Sequence, residues 1–149
     1  MTSAGVPARG NHWFRAFGYG LLAEVATIVT IIVIMVLYRY VFARGLTELD
    51  YDAFAARVGT VVGIVGGTLY TFFFAQRFLR FMRLMRHDAT RFIAHGIVVA
   101  LGAIALSVGG SLAGHHGLPS GYLIASALKI IAGALAGVLA MKKDLPVTT

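Results

Sequence analysis

The chain contains no cysteine among its 149 residues. This absence excludes disulfide bonds, thiolate metal sites, iron–sulfur clusters and covalently attached c-type haem. Charge is also scarce, because only 13% of the residues are charged, whereas a soluble domain usually carries about 25%. Motifs for catalysis are missing as well: we find no nucleophile–base motif, no phosphate-binding glycine loop and no intramembrane acidic pair. We therefore expect no enzyme activity and no cofactor or metal.

Apolar residues make up 58% of the chain, and the mean hydropathy is +0.82. They form four long runs, each sufficient for a helix that closes its backbone hydrogen bonds internally within a bilayer core of about 30 Å. The first run is far longer than the roughly 7–15 apolar residues of a signal peptide, so it predicts an uncleaved helix. We expect an all-α integral membrane fold, a single domain over residues 1–149 with a bundle of four transmembrane helices. The predicted spans are about 17–42, 58–78, 92–112 and 122–141.

Positive charge is concentrated between the second and third runs, in the stretch 77–91. Short loops rich in Lys and Arg stay on the cytoplasmic side of a membrane. This rule predicts a multi-pass protein with both termini on the cytoplasmic side. The compact, Arg-rich and cysteine-free make-up favours a bacterial inner membrane. The basic cytoplasmic face consists of Arg77, Arg80, Arg83, Arg86 and Arg91. These side chains either lie among anionic lipid headgroups or form a docking site for an acidic partner or a specific lipid.

The net charge of +7 does not indicate nucleic-acid binding, because the excess lies at the ends of apolar runs and no nucleic-acid-binding motif is present.

Small residues recur every four positions in two of the predicted helices. This spacing allows close helix packing, which in lipid takes the place of a hydrophobic driving force. We predict helix packing, within one chain or between copies, at Gly59, Gly63, Gly67, Gly133 and Gly137. The first helix has no such groove beyond Gly20.

Glu24 and Lys129 are the only ionisable residues well inside apolar runs. A charge at the bilayer centre costs about 2.5–3.5 kcal/mol even on the most lenient scale, so it usually faces a bundle interior or a cavity. At a rise of about 1.5 Å per residue, Glu24 lies about 14 Å from Arg15, and Lys129 lies about 20 Å from Lys142. We predict that they form an intramembrane charge pair. The pair either sets helix register or serves the passage of an ion, proton or solute; the alternative is independent snorkelling.

Five histidines raise the possibility of a membrane haem, which needs two of them facing each other at one depth. His95 is predicted near one end of the third helix, whereas His115 and His116 lie about 30 Å away by helix rise. We therefore interpret the histidines as ordinary polar residues at helix ends. Ser107 and Ser111 are predicted to bond a helix carbonyl or a neighbouring helix.

Two functional classes follow. The first is a non-catalytic accessory or assembly subunit of a larger membrane complex, which the lack of recognisable chemistry and the basic helix end support. It is slightly favoured because a charge pair that only sets helix register is a sufficient explanation of Glu24 and Lys129. The alternative is a small homo-oligomeric channel or transporter for an ion or small solute, which uses Glu24 and Lys129. The expected partners are anionic lipid headgroups and either other membrane subunits or further copies of the chain, without nucleic acid.

Overall fold

A computed structural model describes residues 12–42, 45, 47–84, 91–114 and 121–143. Within these ranges every regular element is a helix, and four helices are long and apolar enough to cross a membrane. The α-helices are α1 (His12–Leu37), α2 (Glu48–Val61), α3 (Gly67–Leu84), α4 (Phe92–Ala113) and α5 (Tyr122–Lys142). Two π-helical turns, Tyr38–Phe42 after α1 and Val62–Gly66 between α2 and α3, extend the first two spans. The prediction of an all-helical fold with four such helices is confirmed for this part of the chain.

The second span begins ten residues earlier than the predicted start at residue 58, because a capping signal lies outside its apolar run. Thr47 adopts an extended backbone conformation (φ −72°, ψ 160°), and its hydroxyl oxygen accepts a hydrogen bond from the backbone N–H of Asp50. Glu48 and Asp50 add negative charge to the first turn, where it interacts favourably with the helix dipole. Helix formation thus continues through residues too polar to be counted in the span.

The four spans pack around a square, in which α4 lies between α1 and α5 and α3 closes the opposite side against the same two helices. Two crossings depend on glycine. A Cβ on Gly20 of α1 would overlap the backbone of α4 at Val99 and Gly102, and a Cβ on Gly96 of α4 would overlap the carbonyl of Gly133 on α5. These contacts bring the helix backbones into the close approach that small residues permit.

One half of the bundle is tightly packed. Its core contains Ala16, Ala75, Phe78, Leu79, Met82, Phe92, Val99, Ala136 and Ala140, each at most 8% exposed. In the other half α2 packs chiefly against α1 and against its own continuation. The change from tight to loose packing coincides with the π-helical turn Val62–Gly66, a type of irregularity that often marks functional sites. Space is therefore left between α2 and the remaining helices.

Candidate functional site

Glu24 and Lys129 meet in the interior of the bundle. Nζ of Lys129 donates a hydrogen bond to Oε2 of Glu24 at 2.5 Å, and the two residues are 3% and 7% exposed, respectively. Ser107 completes a triangle: its hydroxyl donates to Oε1 of Glu24, and its oxygen accepts from Nζ of Lys129 at 3.2 Å. The three side chains come from α1, α5 and α4, so this cluster connects three helices.

Close helix crossings place these groups at one level. Gly20 lies one turn before Glu24 on α1 and rests against Gly102 of α4, which sets Ser107 opposite Glu24. Gly67 of α3 leaves room for the Lys129 stem, because a Cβ at position 67 would lie 2.8 Å from Cε of Lys129. The cluster has no net charge when Glu24 is ionised and Lys129 is protonated. Buried charges persist only where they are paired and hydrogen-bonded in this way.

A cavity of about 550 Å³ extends from this cluster toward the loosely packed half of the bundle. All four spans line it, through α1, α2 with its π-helical turn, α4 and α5. Its exposed lining residues include Ala56, Thr60 and Gly110, and its buried end includes Glu24 and Lys129. The volume lies in the range of roughly 300–1,000 Å³ that is typical of small-molecule sites.

Of the glycines predicted for helix packing in the second span, Gly59 and Gly63 pack against no described helix of this chain, and their packing between copies stays a prediction. Nothing lies within 4 Å of a Cβ built on Gly59 or Gly63, and both line the cavity instead of packing against a helix of this chain. The spacing makes a groove on α2, but α2 diverges from the helices that could fill it. Gly67 does pack, although against the Lys129 side chain, while Gly133 and Gly137 lie against the backbone of α4.

Three of the predicted basic residues have side chains in the described part of the structure, and these lie at the tightly packed end of the bundle. Arg77, Arg80 and Arg91 are exposed there, together with Lys142 and Lys143, and we call these five residues the basic end. Arg86 and the side chain of Arg83 lie outside the described part of the structure. Arg15 is close to the same end, with its guanidinium 5.9 Å from the centre of the Phe81 ring.

His95 differs from the ordinary polar end residue that we expected, because it is only 3% exposed. Its ring stacks on Trp13 with centroids 4.1 Å apart, and its Nδ1 lies 2.8 Å from the carbonyl oxygen of Arg91. Since a carbonyl can only accept, Nδ1 carries the proton. His95 thus joins α1 to the start of α4. His115 and His116 fall outside the described residues, which contain no cluster of three His, Cys, Asp or Glu that could hold a metal.

Sequence reasoning missed three residues of this arrangement. The sequence pattern does not identify Gly96 and Gly102 as crossing points. It also does not place Tyr122 in the cavity wall, where its hydroxyl donates to the Ile104 carbonyl at 3.1 Å. A signal existed for the crossing at Gly102, since Gly20 marks a point where the first helix can approach a neighbouring backbone closely. Ser107 was expected to bond a carbonyl or a neighbour, but its partner was not identified.

Comparisons with protein-family models, with curated proteins and with solved structures find no match to this chain. The function therefore has to be inferred from the cavity and the buried ion pair.

Proposed function

We propose that the protein is a four-span membrane protein that admits a small solute through its cavity to the Glu24–Lys129 pair, as a channel or transporter does. The observation that carries this proposal is that the cavity ends on a buried, hydrogen-bonded ion pair. An ion pair that only sets helix register needs no access from solvent. Access to intramembrane charge is, however, what a solute pathway requires.

The proposal includes an orientation. The basic end is cytoplasmic under the positive-inside rule, in a bacterial inner membrane with both termini on that side. The cavity then opens on the opposite, extracytoplasmic side. Beyond the ion pair the core is closed by large side chains such as Phe78, Leu79 and Phe92, all fully buried. This combination fits a carrier seen open to one side better than a continuous pore.

The test is charge movement across proteoliposomes that contain the full-length protein, recorded on a solid-supported membrane during rapid exchange of inorganic cations, anions, alkylamines and carboxylates. We expect a saturable signal for at least one solute and its loss in Glu24→Gln when the signal is normalised to the amount of folded protein in the vesicles. Glu48→Gln is the matched control, because Glu48 is an exposed carboxylate that only faces Arg39 at 3.9 Å. Absence of a signal for every solute would contradict the proposal.

The accessory-subunit class remains the second candidate, and the exposed cations of the basic end favour it. Such a surface fits an acidic partner or anionic headgroups. Native mass spectrometry of the protein extracted from its own membrane separates the two classes. A complex with other chains that is lost in Arg77→Glu/Arg80→Glu would support a subunit, whereas the chain alone or a homo-oligomer would support transport. The sequence alone slightly favours the subunit, and the cavity shifts our preference to transport.

A further inference from the structure

Four of the five hydroxyl groups in the described cavity wall already donate their protons to hydrogen bonds within the protein. Among the described lining residues, five carry a hydroxyl: Thr27, Thr60, Ser107, Ser111 and Tyr122. The Thr27 and Thr60 hydroxyls each donate to the carbonyl four residues earlier in their own helix, at 3.0 and 2.9 Å. Tyr122 donates to the Ile104 carbonyl, and Ser107 donates to the Glu24 carboxylate. Since a hydroxyl has one proton, only Ser111 is left with a donor that these bonds do not use.

The ion pair also has more unused hydrogen-bond acceptor positions than unused donors. Lys129 uses two of its three N–H groups on Glu24 and Ser107. Glu24 accepts one bond at each oxygen, although a carboxylate has about four acceptor positions. The hydroxyl oxygens of Thr27 and Thr60 also retain acceptor capacity. The described wall of the cavity therefore offers more hydrogen-bond acceptors than donors, and its end contains a carboxylate.

The rest of the wall is apolar or small. Ile28, Ile31, Ile64 and Leu106 supply aliphatic surface, and glycines such as Gly59 and Gly63 keep the space open. A ligand that fits both the apolar wall and the acceptor-rich end at Glu24 has an apolar body and one cationic end that carries N–H donors.

We propose that the ligand of this cavity is an organic ammonium cation with an alkyl body, which competes with the ammonium group of Lys129 for the Glu24 carboxylate. This inference rests on the proposed function and specifies its substrate class. Lys129 acts as the built-in competitor: its ammonium already forms the bond at Glu24 that a ligand ammonium would form. An anion would instead need donors, and the described wall has few of them to give.

The first experiment is isothermal titration calorimetry on the full-length protein in nanodiscs with probes of similar size: n-butylammonium chloride, sodium butyrate and butyramide. Tetramethylammonium chloride, a cation without N–H groups, is the fourth probe. We expect saturable binding of n-butylammonium, weaker binding of tetramethylammonium and none of butyrate. Preferential binding of butyrate or equal binding of butyramide would overturn the inference, but either would leave a solute-binding cavity in place. If charge-movement recordings show flux while none of the four probes binds, the substrate class is wrong and transport stands.

A second experiment uses the competition itself. In Lys129→Met the Glu24 carboxylate loses its internal partner, so n-butylammonium should bind about tenfold more tightly or better, equivalent to about 1.4 kcal/mol. A ligand held by Lys129 would show the opposite change, and unchanged or weaker binding of n-butylammonium in this variant would overturn the inference.

A third experiment covers the case in which Lys129→Met does not fold. Thr60→Val removes an acceptor from the cavity. Thr68→Val removes a similar hydroxyl, which donates to the Ile64 carbonyl, from a residue that does not line the cavity. We expect weaker n-butylammonium binding in Thr60→Val alone. Equal affinity in the two valine variants would argue against the acceptor-rich wall as the basis of selection.

Discussion

Gly67 and Lys129 are in such close contact that a single methyl group would not fit between them. A Cβ at position 67 would lie 2.8 Å from Cε and 3.4 Å from Nζ of Lys129. The glycine of α3 therefore provides the space in which the lysine of α5 reaches Glu24 on α1. A residue that the sequence indicates for packing between helices thus has a direct effect on the geometry of the ion pair.

Gly67→Ala should move the Lys129 ammonium away from Glu24. We expect a loss of about 1 kcal/mol in the free energy of unfolding, the low end for overpacked sites, because the obstacle is the end of a flexible side chain; the measurement is denaturant titration in detergent micelles. Gly63→Ala is the control, because nothing lies within 4 Å of its new methyl group; there the better helix propensity of alanine should leave stability unchanged or raise it by up to about 1 kcal/mol. Equal stabilities of the two variants would contradict the proposed contact.

Lys129→Met should destabilise the protein by about 3–5 kcal/mol, because it leaves the Glu24 carboxylate buried without its partner. The double variant Glu24→Gln/Lys129→Met should lose much less, since no uncompensated charge remains in it. Unfolding measurements on both single variants and the double variant complete a mutant cycle. A double variant whose loss equals the sum of the two single losses would mean that the residues are not coupled.

Gly96→Ala should separate α4 from α5, because the new methyl group would overlap the carbonyl of Gly133. We expect a loss of about 2 kcal/mol or more in unfolding free energy, since the obstacle is backbone and not a flexible side chain. Gly109→Ala, on the same helix but with open space around it, should be tolerated. A thermal melt of the two variants in the same detergent gives the comparison.

The natural absence of cysteine allows the cavity to be probed by single cysteine substitutions. Gly63→Cys, inside the cavity, should react with a membrane-impermeant maleimide added to the extracytoplasmic side. Ile131→Cys, on an exposed outer face of α5 that would contact lipid, should not react because the thiolate does not form in hydrocarbon. Labelling of Gly63→Cys only from the cytoplasmic side would reverse the proposed orientation, and the absence of labelling from both sides would mean that the cavity is dry.

Helix number and type could be predicted from the sequence because an apolar run of this length has one way to satisfy its backbone in lipid. Helix ends could not be predicted as well: α2 begins at a threonine cap in a polar stretch, which an apolar count does not detect. The meeting of Glu24 with Lys129 could be proposed from depth along the helices. Its third member, Ser107, depends on which helices are neighbours, and depth does not contain that information.

The glycine repeats also show which features the sequence predicts and which depend on the packing of the helices. Four apolar helices, two isolated charges within apolar runs and several small-residue faces follow from composition and from the helical period. Which of these faces are filled depends on how the helices pack. Gly133 and Gly137 press against α4, but Gly59 and Gly63, with the same spacing, border an open cavity because α2 diverges from the bundle. A one-dimensional pattern specifies a groove, and only the positions of the other helices specify whether that groove holds a helix or a ligand.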